Sequence, residues 1–110
     1  MIEDKIQAEC VKWFTNNYCL RHHNPKCVIF SVPNGGLRNK IEAMKLVTTG
    51  MKAGVSDLVV LMPGRALFVE VKTDIGRQSK EQIDFEADVV ALGFQYFLIR
   101  SIDEFKAIFI

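Results

Sequence analysis

The apolar positions of the opening segment, Ile2, Ile6, Cys10, Trp13 and Phe14, return every three or four residues, which predicts a helix from about Ile2 to Asn17. Residues Tyr18 to Pro25 read as a loop. The period then changes: Cys27 to Val32 is a run of β-branched and aromatic residues that halts at Pro33-Asn34-Gly35-Gly36, a strand followed by a turn. Ile41, Met44 and Leu46-Val47 place a short helix or irregular helical turn within Leu37 to Thr49, after which Gly50 and Gly54 punctuate a flexible stretch. Two apolar runs follow, Asp57 to Met62 and Ala66 to Thr73. Only Pro63-Gly64-Arg65 joins them, and so short a link makes an antiparallel hairpin. Ser79-Lys80-Glu81-Gln82 has the form of a capping box and launches a helix to about Leu92, with Gly93 just past its end. Phe94 to Arg100 is a further strand, and Ser101-Ile102-Asp103-Glu104 is a second capping box opening a last helix toward Ile110.

The order is therefore α-β-(α)-β-β-α-β-α, an α/β fold in which a mixed sheet is flanked by helices. The helix between the hairpin's second strand and the final strand makes those two strands parallel neighbours through a right-handed crossover.

Composition sets limits on this picture. The 110 residues suit one domain, 1–110, and 49% hydrophobic with 25% charged residues is the mix of an ordinary globular protein. No apolar run nears the ~18 residues that span a bilayer. Met1-Ile2-Glu3-Asp4-Lys5 lacks the layout of a signal peptide. No membrane partner and an intracellular, cytoplasmic setting are expected. Cys10, Cys19 and Cys27 are odd in number and irregularly spaced, which suits free thiols. A net charge of +1 excludes a histone-like polycation but not a nucleic-acid binder, because charge that cancels overall can be segregated. Between Asn34 and Ser56, Arg38, Lys40, Lys45 and Lys52 face the single acid Glu42.

The informative feature is the hairpin. Phe68, Glu70 and Lys72 lie two residues apart and share one face of their strand, while Leu67, Val69 and Val71 take the other and read as core. If Met62 pairs near Leu67, Asp57 falls opposite Lys72; if Leu61 pairs with Ala66, Asp57 falls opposite Glu70. Either register gathers Asp57, Glu70 and Lys72 at the open end of the hairpin. Two carboxylates so close repel unless a cation lies between them, and hard oxygen ligands suit Mg²⁺ or Mn²⁺, with the backbone carbonyl of Val71 as a further possible ligand. Such an ion polarises a phosphoryl oxygen and makes hydroxide from water. The bland alternative is a surface ion pair on a solvated sheet face.

The runs Gly54-Val55-Ser56-Asp57-Leu58-Val59-Val60 and Leu67-Phe68-Val69-Glu70-Val71-Lys72-Thr73, followed by Gly76, Ser79 and Gln82, closely resemble a VRR-NUC domain, a branch of the PD-(D/E)XK nucleases with a restriction-endonuclease-like fold. The resemblance covers nearly the whole chain, including the Gly-x-x-x-Gly-x-x-Asp segment and the closing Ser-Ile-Asp-Glu-Phe helix. It implies Mg²⁺- or Mn²⁺-dependent phosphodiester cleavage, with Asp57 and Glu70 as metal ligands and Lys72 as the catalytic lysine. Ser56 departs from the pattern, where the family more often has proline. Gln82 matches a glutamine expected to reach back toward the site, although it is also the third helical residue of the capping box. Glu3 matches an acid on the family's first helix, another possible metal ligand, with Gln7 one turn on; Glu9 competes with it, and a carboxylate favourable at a helix N-terminus is the plainer reading of Glu3.

Arg38, Asn39, Lys40 and Lys52 are candidates for DNA backbone contacts that position without base readout, against simple solubility. Cys19-x-x-His22 is only half a zinc motif, no Cys-x-x-Cys occurs, and the aromatic residues sit at core spacings. Stand-alone members of this branch resemble Holliday-junction resolvases and are typically phage or prophage encoded. The resemblance thus implies a DNA endonuclease on branched substrates, acting as a homodimer because paired cuts need two sites. The first helix and the apolar Phe105–Ile110 segment are the candidate dimer surfaces. The alternatives are a non-catalytic DNA-binding module of the same fold, or a nuclease active only within a larger replication or repair assembly.

Overall fold

The computed structural model describes residues 2–33 and 40–110, apart from the side chains of 40–43. Its elements are α1 (Ile2–Tyr18), β1 (Val28–Ser31), α2 (Lys40–Thr48), β2 (Leu58–Met62), β3 (Arg65–Val71), α3 (Lys80–Ala91), β4 (Gln95–Ile99) and α4 (Ile102–Ala107). The sheet runs β1-β2-β3-β4, with β1 and β3 antiparallel to β2 and β4 parallel to β3. The mixed sheet and the order of elements agree with the reading of the sequence. The Asn34-Gly35-Gly36 turn lies outside the described residues.

Local chemistry explains most boundaries. Met62 pairs with Arg65, so Pro63 and Gly64 form the hairpin's two corners, and Gly64 sits at φ +71°, a conformation only glycine enters freely. Helix α3 starts at Ser79, whose hydroxyl accepts from the Gln82 N–H at 3.2 Å. It stops at Gly93 (φ +93°), where the Gly93 and Phe94 N–H groups return to the Val90 and Val89 carbonyls, the paired bonds of a Schellman ending.

At α4 the second capping box is altered. Ser101 accepts from the Glu104 N–H, but the Glu104 carboxylate reaches one residue further back, to the Arg100 N–H at 2.6 Å. Helix α4 also ends at Ala107, short of Ile110, as the Ile108 and Phe109 N–H groups tighten onto carbonyls three residues earlier.

Alternation along the strands divides the sheet into two faces. Leu58, Val60, Leu67, Val69, Val71 and Ile99 point toward α1 and α4 and are buried against Cys10, Phe14 and Phe105. Trp13, Tyr18 and Phe109 complete an aromatic cluster there, with Phe14 and Phe109 ring centres 5.1 Å apart. At the end of the chain Phe105 is fully buried and the Phe109 ring lies against Phe14 of α1, while Ile110 stays exposed. Burial pushes the Cys10 thiol up to about 12, so it stays protonated as core filling. On the other face α3 packs Phe85 and Val89 over Phe68 and Tyr96. No helix among the described residues is long and apolar enough to cross a membrane.

Candidate active site

The hairpin adopts the register in which Leu61 pairs with Ala66 and Leu58 with Val69. One rung further, Asp57 stands opposite Glu70. That rung is not made by main chain: the Asp57 carboxylate takes the Val71 N–H at 2.8 Å. A side chain substituting for a carbonyl ends the β2–β3 ladder, so Asp57 and Lys72 lie just outside strands that the apolar pattern extends through them. Lys72 is nevertheless held, its N–H bonding the Ile99 carbonyl at 3.0 Å on the β4 side. Because a trans peptide sets its C=O opposite its N–H, the Val71 carbonyl faces the other way, toward Asp57.

Glu70 is the unusual residue. It is 1% exposed on a face that carries Phe68 beside it. Its Oε2 accepts from Gln82 Nε2 at 2.7 Å and lies 3.6 Å from Lys72 Nζ, while its Oε1 is buried with no hydrogen-bond partner among the described residues. Burial, and then the charge of Asp57, push the Glu70 carboxyl up to about 7, with Lys72 pulling the other way. A half-satisfied buried carboxyl is costly, and native structures keep one where something else completes it.

Gln82 makes two contacts, one with the helix cap and one with Glu70. Its Oε1 accepts the Ser79 N–H at 2.8 Å, closing the capping box, and its Nε2 faces Glu70. Helix α3 is itself fixed by Gly54. At φ +85°, Gly54 brings its backbone so close to α3's first turn that a Cβ would sit 2.2 Å from the Glu81 carbonyl oxygen and 2.9 Å from the Gln82 nitrogen. The segment leading into Asp57 and the helix carrying Gln82 are thus in direct backbone contact. Between them Ser56 is fully buried, and its hydroxyl donates to the Leu58 carbonyl at 3.1 Å, so the serine at this position is accommodated as a satisfied polar group.

Beyond Lys72 the chain makes a tight turn. The Gly76 N–H returns to the Thr73 carbonyl and hydroxyl, and the Arg100 guanidinium donates to the carbonyls of both Thr73 and Gly76. Gln78 then donates to Glu86 and to the Tyr96 hydroxyl, tying the loop to α3 and β4. Neither Arg100 nor Gln78 stood out in the sequence, since their partners are 24–27 and 8–18 residues away. For Gly54 the signal was present, as a glycine three residues before the aspartate, but not its reason.

The remaining candidates are more dispersed. Glu3 and Gln7 are half-buried on α1, Glu9 is exposed, and among the described residues no hydrogen bond or ion pair links Glu3 to Glu70. Lys52 is exposed between α2 and β2. Lys40 opens α2 with its side chain outside the description, and Arg38 and Asn39 lie outside the described residues. Among the described residues no group of three His, Cys, Asp or Glu side chains could hold a metal ion. Asp57 and Glu70 are two, a number that suits Mg²⁺, which keeps several waters and takes one or two carboxylates.

A model of the VRR-NUC domain family matches residues 2–103 of the chain. Two solved structures are similar to it over 99% of its length. One, described as a VRR_NUC domain protein, has a TM-score of 0.77 and 20% identity, with 85% of that chain covered. The other, described as a VRR_NUC domain, has a TM-score of 0.66 and 17% identity, with 95% covered. No curated protein matches the chain.

Proposed function

Since the chain belongs to the VRR-NUC family and so to a nuclease type, we propose that it is a Mg²⁺- or Mn²⁺-dependent endonuclease that hydrolyses DNA phosphodiesters, acting on branched substrates as a homodimer. The observation that carries this reading is Glu70: a carboxylate 1% exposed, beside Asp57 and Lys72, with one oxygen bound to Gln82 and the other without a partner among the described residues.

The donor set fits a hard divalent ion, which the Asp57 and Glu70 carboxylates and the Val71 carbonyl would hold, with Glu3 as a possible further ligand. Such an ion, when bound, supplies positive charge to a phosphoryl oxygen and acidifies water. The chain's own groups do the rest. Gln82 fixes Glu70 by one oxygen, which leaves Oε1 to face the site. The Lys72 ammonium, 13% exposed, orients the attacking water or balances charge growing on the phosphorus oxygens. Gly54 and Ser56 deliver Asp57 to Glu70 by holding the segment against α3. Lys52, with Arg38, Asn39 and Lys40, supplies backbone phosphate contacts.

The test is cleavage of a labelled synthetic four-way junction beside duplex, flap and single-stranded DNA, with Mg²⁺, Mn²⁺ or EDTA, using wild type and Glu70→Ala. Paired, metal-dependent cuts across the junction that vanish in Glu70→Ala support the reading. Binding without cleavage of any substrate in either metal refutes it.

A further inference from the structure

We infer that the cleft between the start of α1 and the Thr73–Gly76 turn is a subsite for one unstacked nucleobase next to the phosphate being cut, with Ile75 as its outer lip. This rests on the nuclease reading for its substrate but on different residues for its geometry. Ile75 is 90% exposed, at the second corner of the Thr73–Gly76 turn that directly follows Lys72. An isoleucine this exposed on a loose loop would be unremarkable. Here the turn is rigid: Gly76 bonds back to Thr73 twice, and the Arg100 guanidinium ties both carbonyls. The structure fixes an apolar side chain in the open on a turn that lies against Lys72, where a Cβ at Gly76 would stand 3.4 Å from Lys72 Cδ.

Behind it lies a cleft of about 510 Å³, lined by Ile2, Ile6, Thr73, Asp74, Ile75 and Arg100, within the roughly 300–1,000 Å³ usual for small-ligand sites. Three isoleucines give it apolar walls, and its polar groups are the Arg100 guanidinium, the Asp74 carboxylate and the Thr73 hydroxyl. That combination disfavours a phosphate, which Asp74 would repel, and suits a base, whose faces are apolar and whose edge offers both donors and acceptors. The turn that walls the cleft packs against the Lys72 side chain, whose Nζ is 3.6 Å from Glu70, so a base seated here belongs to a nucleotide close to the phosphate that Lys72 would meet. Apolar side chains, isoleucine among them, are known to part base steps. The cost of unstacking is least where pairing is already broken, which ties the cleft to branch points and other unpaired junctions.

The probe is a four-way junction carrying 2-aminopurine at the nucleotides flanking the crossing, beside a fully paired duplex with the same label. Binding is followed by fluorescence in Ca²⁺, and cleavage of the same strands in Mg²⁺ and Mn²⁺. Wild type, Ile75→Ser and Ile75→Leu are compared, each with a thermal melt; the side chain is exposed, so all three melt together. Wild type raises the junction's fluorescence and not the duplex's. Ile75→Ser abolishes the rise and weakens junction binding by about tenfold, the size of a lost base contact, and Ile75→Leu restores both. An unchanged rise and affinity in Ile75→Ser, or no rise with wild type at any labelled position, overturns the proposal. Cleavage without an Ile75-dependent rise removes the base subsite and leaves the nuclease. An Ile75-dependent rise without cleavage in either metal keeps the subsite and removes the nuclease.

Discussion

Strand β3 serves two faces of one sheet that are built on opposite terms. Toward α1 and α4, Leu67, Val69 and Val71 meet Leu58, Val60, Phe14 and Phe105, all fully buried and all apolar. Toward α3, the alternate residues are Phe68 and Glu70, and the cover is partial: Val28, Phe30 and Leu61 on the same side of β1 and β2 remain 44%, 44% and 39% exposed. The first face contributes stability through dispersion and removal of apolar surface from water. The second gives some of it up, because it buries a carboxyl with an orphaned oxygen. Fold and chemistry occupy the same seven-residue strand, separated only by the alternation of its side chains.

That contrast can be broken from either side. The largest effect belongs to the dry face: Phe105→Ala removes a ring in contact with Trp13, Phe14 and Phe109 and costs about 3–5 kcal/mol in urea unfolding. Metal-dependent cleavage persists in whatever fraction stays folded. On the wet face the sign reverses. The Glu70 pKa is raised from 4.5 to about 7, so its contribution is fully present below about pH 4.5 and is lost as pH rises through 7. Glu70→Gln therefore ends cleavage while stabilising the metal-free protein by up to about 3 kcal/mol at pH 8. Melts of both proteins across pH 4–8 should converge at the acid end, and equal pH slopes would contradict the assignment. The same argument makes added Mg²⁺ raise the melting temperature of wild type more at pH 8 than at pH 5, and that of Glu70→Gln much less.

The two smaller effects probe how the faces are joined. Gly54→Ala forces a Cβ to 2.2 Å from the Glu81 carbonyl at a positive φ. We expect a loss of about 2 kcal/mol or more, with cleavage falling further than stability because Asp57 and Gln82 move apart. Gln82→Ala removes half a capping box and costs about 1 kcal/mol. It also frees Glu70, and cleavage should drop by roughly 10–100-fold, the usual range for a residue supporting a metal ligand. Gln82→Glu keeps the cap but sets a second acid against Glu70. A variant active like wild type would show that the cap, not the hydrogen bond to Glu70, is what matters.

Much of this site was legible in the sequence because its parts are local. Alternation put Glu70 and Lys72 on one face, the brevity of the Pro63-Gly64 link forced a hairpin, and Asp57 followed from counting rungs. Counting alone left two registers, which differ by whether Arg65 belongs to the turn or to the strand. The structure pairs Arg65 with Met62, and Arg65 also reaches across to Gln95 at 2.7 Å, a contact 30 residues distant that no local rule contains. Gln82 was ambiguous for a similar reason: a glutamine amide has two ends, and sequence does not say that each has its own partner. The strand limits at Asp57 and Lys72 were misjudged because an apolar pattern does not register a side chain that takes over a main-chain bond. The apolar end of the chain suggested an outer surface; the structure turns Phe105 and Phe109 onto α1 and leaves Ile110 exposed.

The Arg100 clamp has a further consequence, in time rather than in space. The hairpin and the Ser79–Gln82 cap close over a few residues and can form as soon as those residues meet. The bonds from Arg100 to Thr73 and Gly76 span 27 and 24 residues, and they exist only after α3 has crossed over and β4 has docked beside β3. Until then the turn after Lys72 rests on its own two internal bonds. The segment that follows Lys72 is thereby framed by β4 as well as by its own bonds, so a chain in which β4 has not yet docked carries Asp57 and Glu70 without that frame.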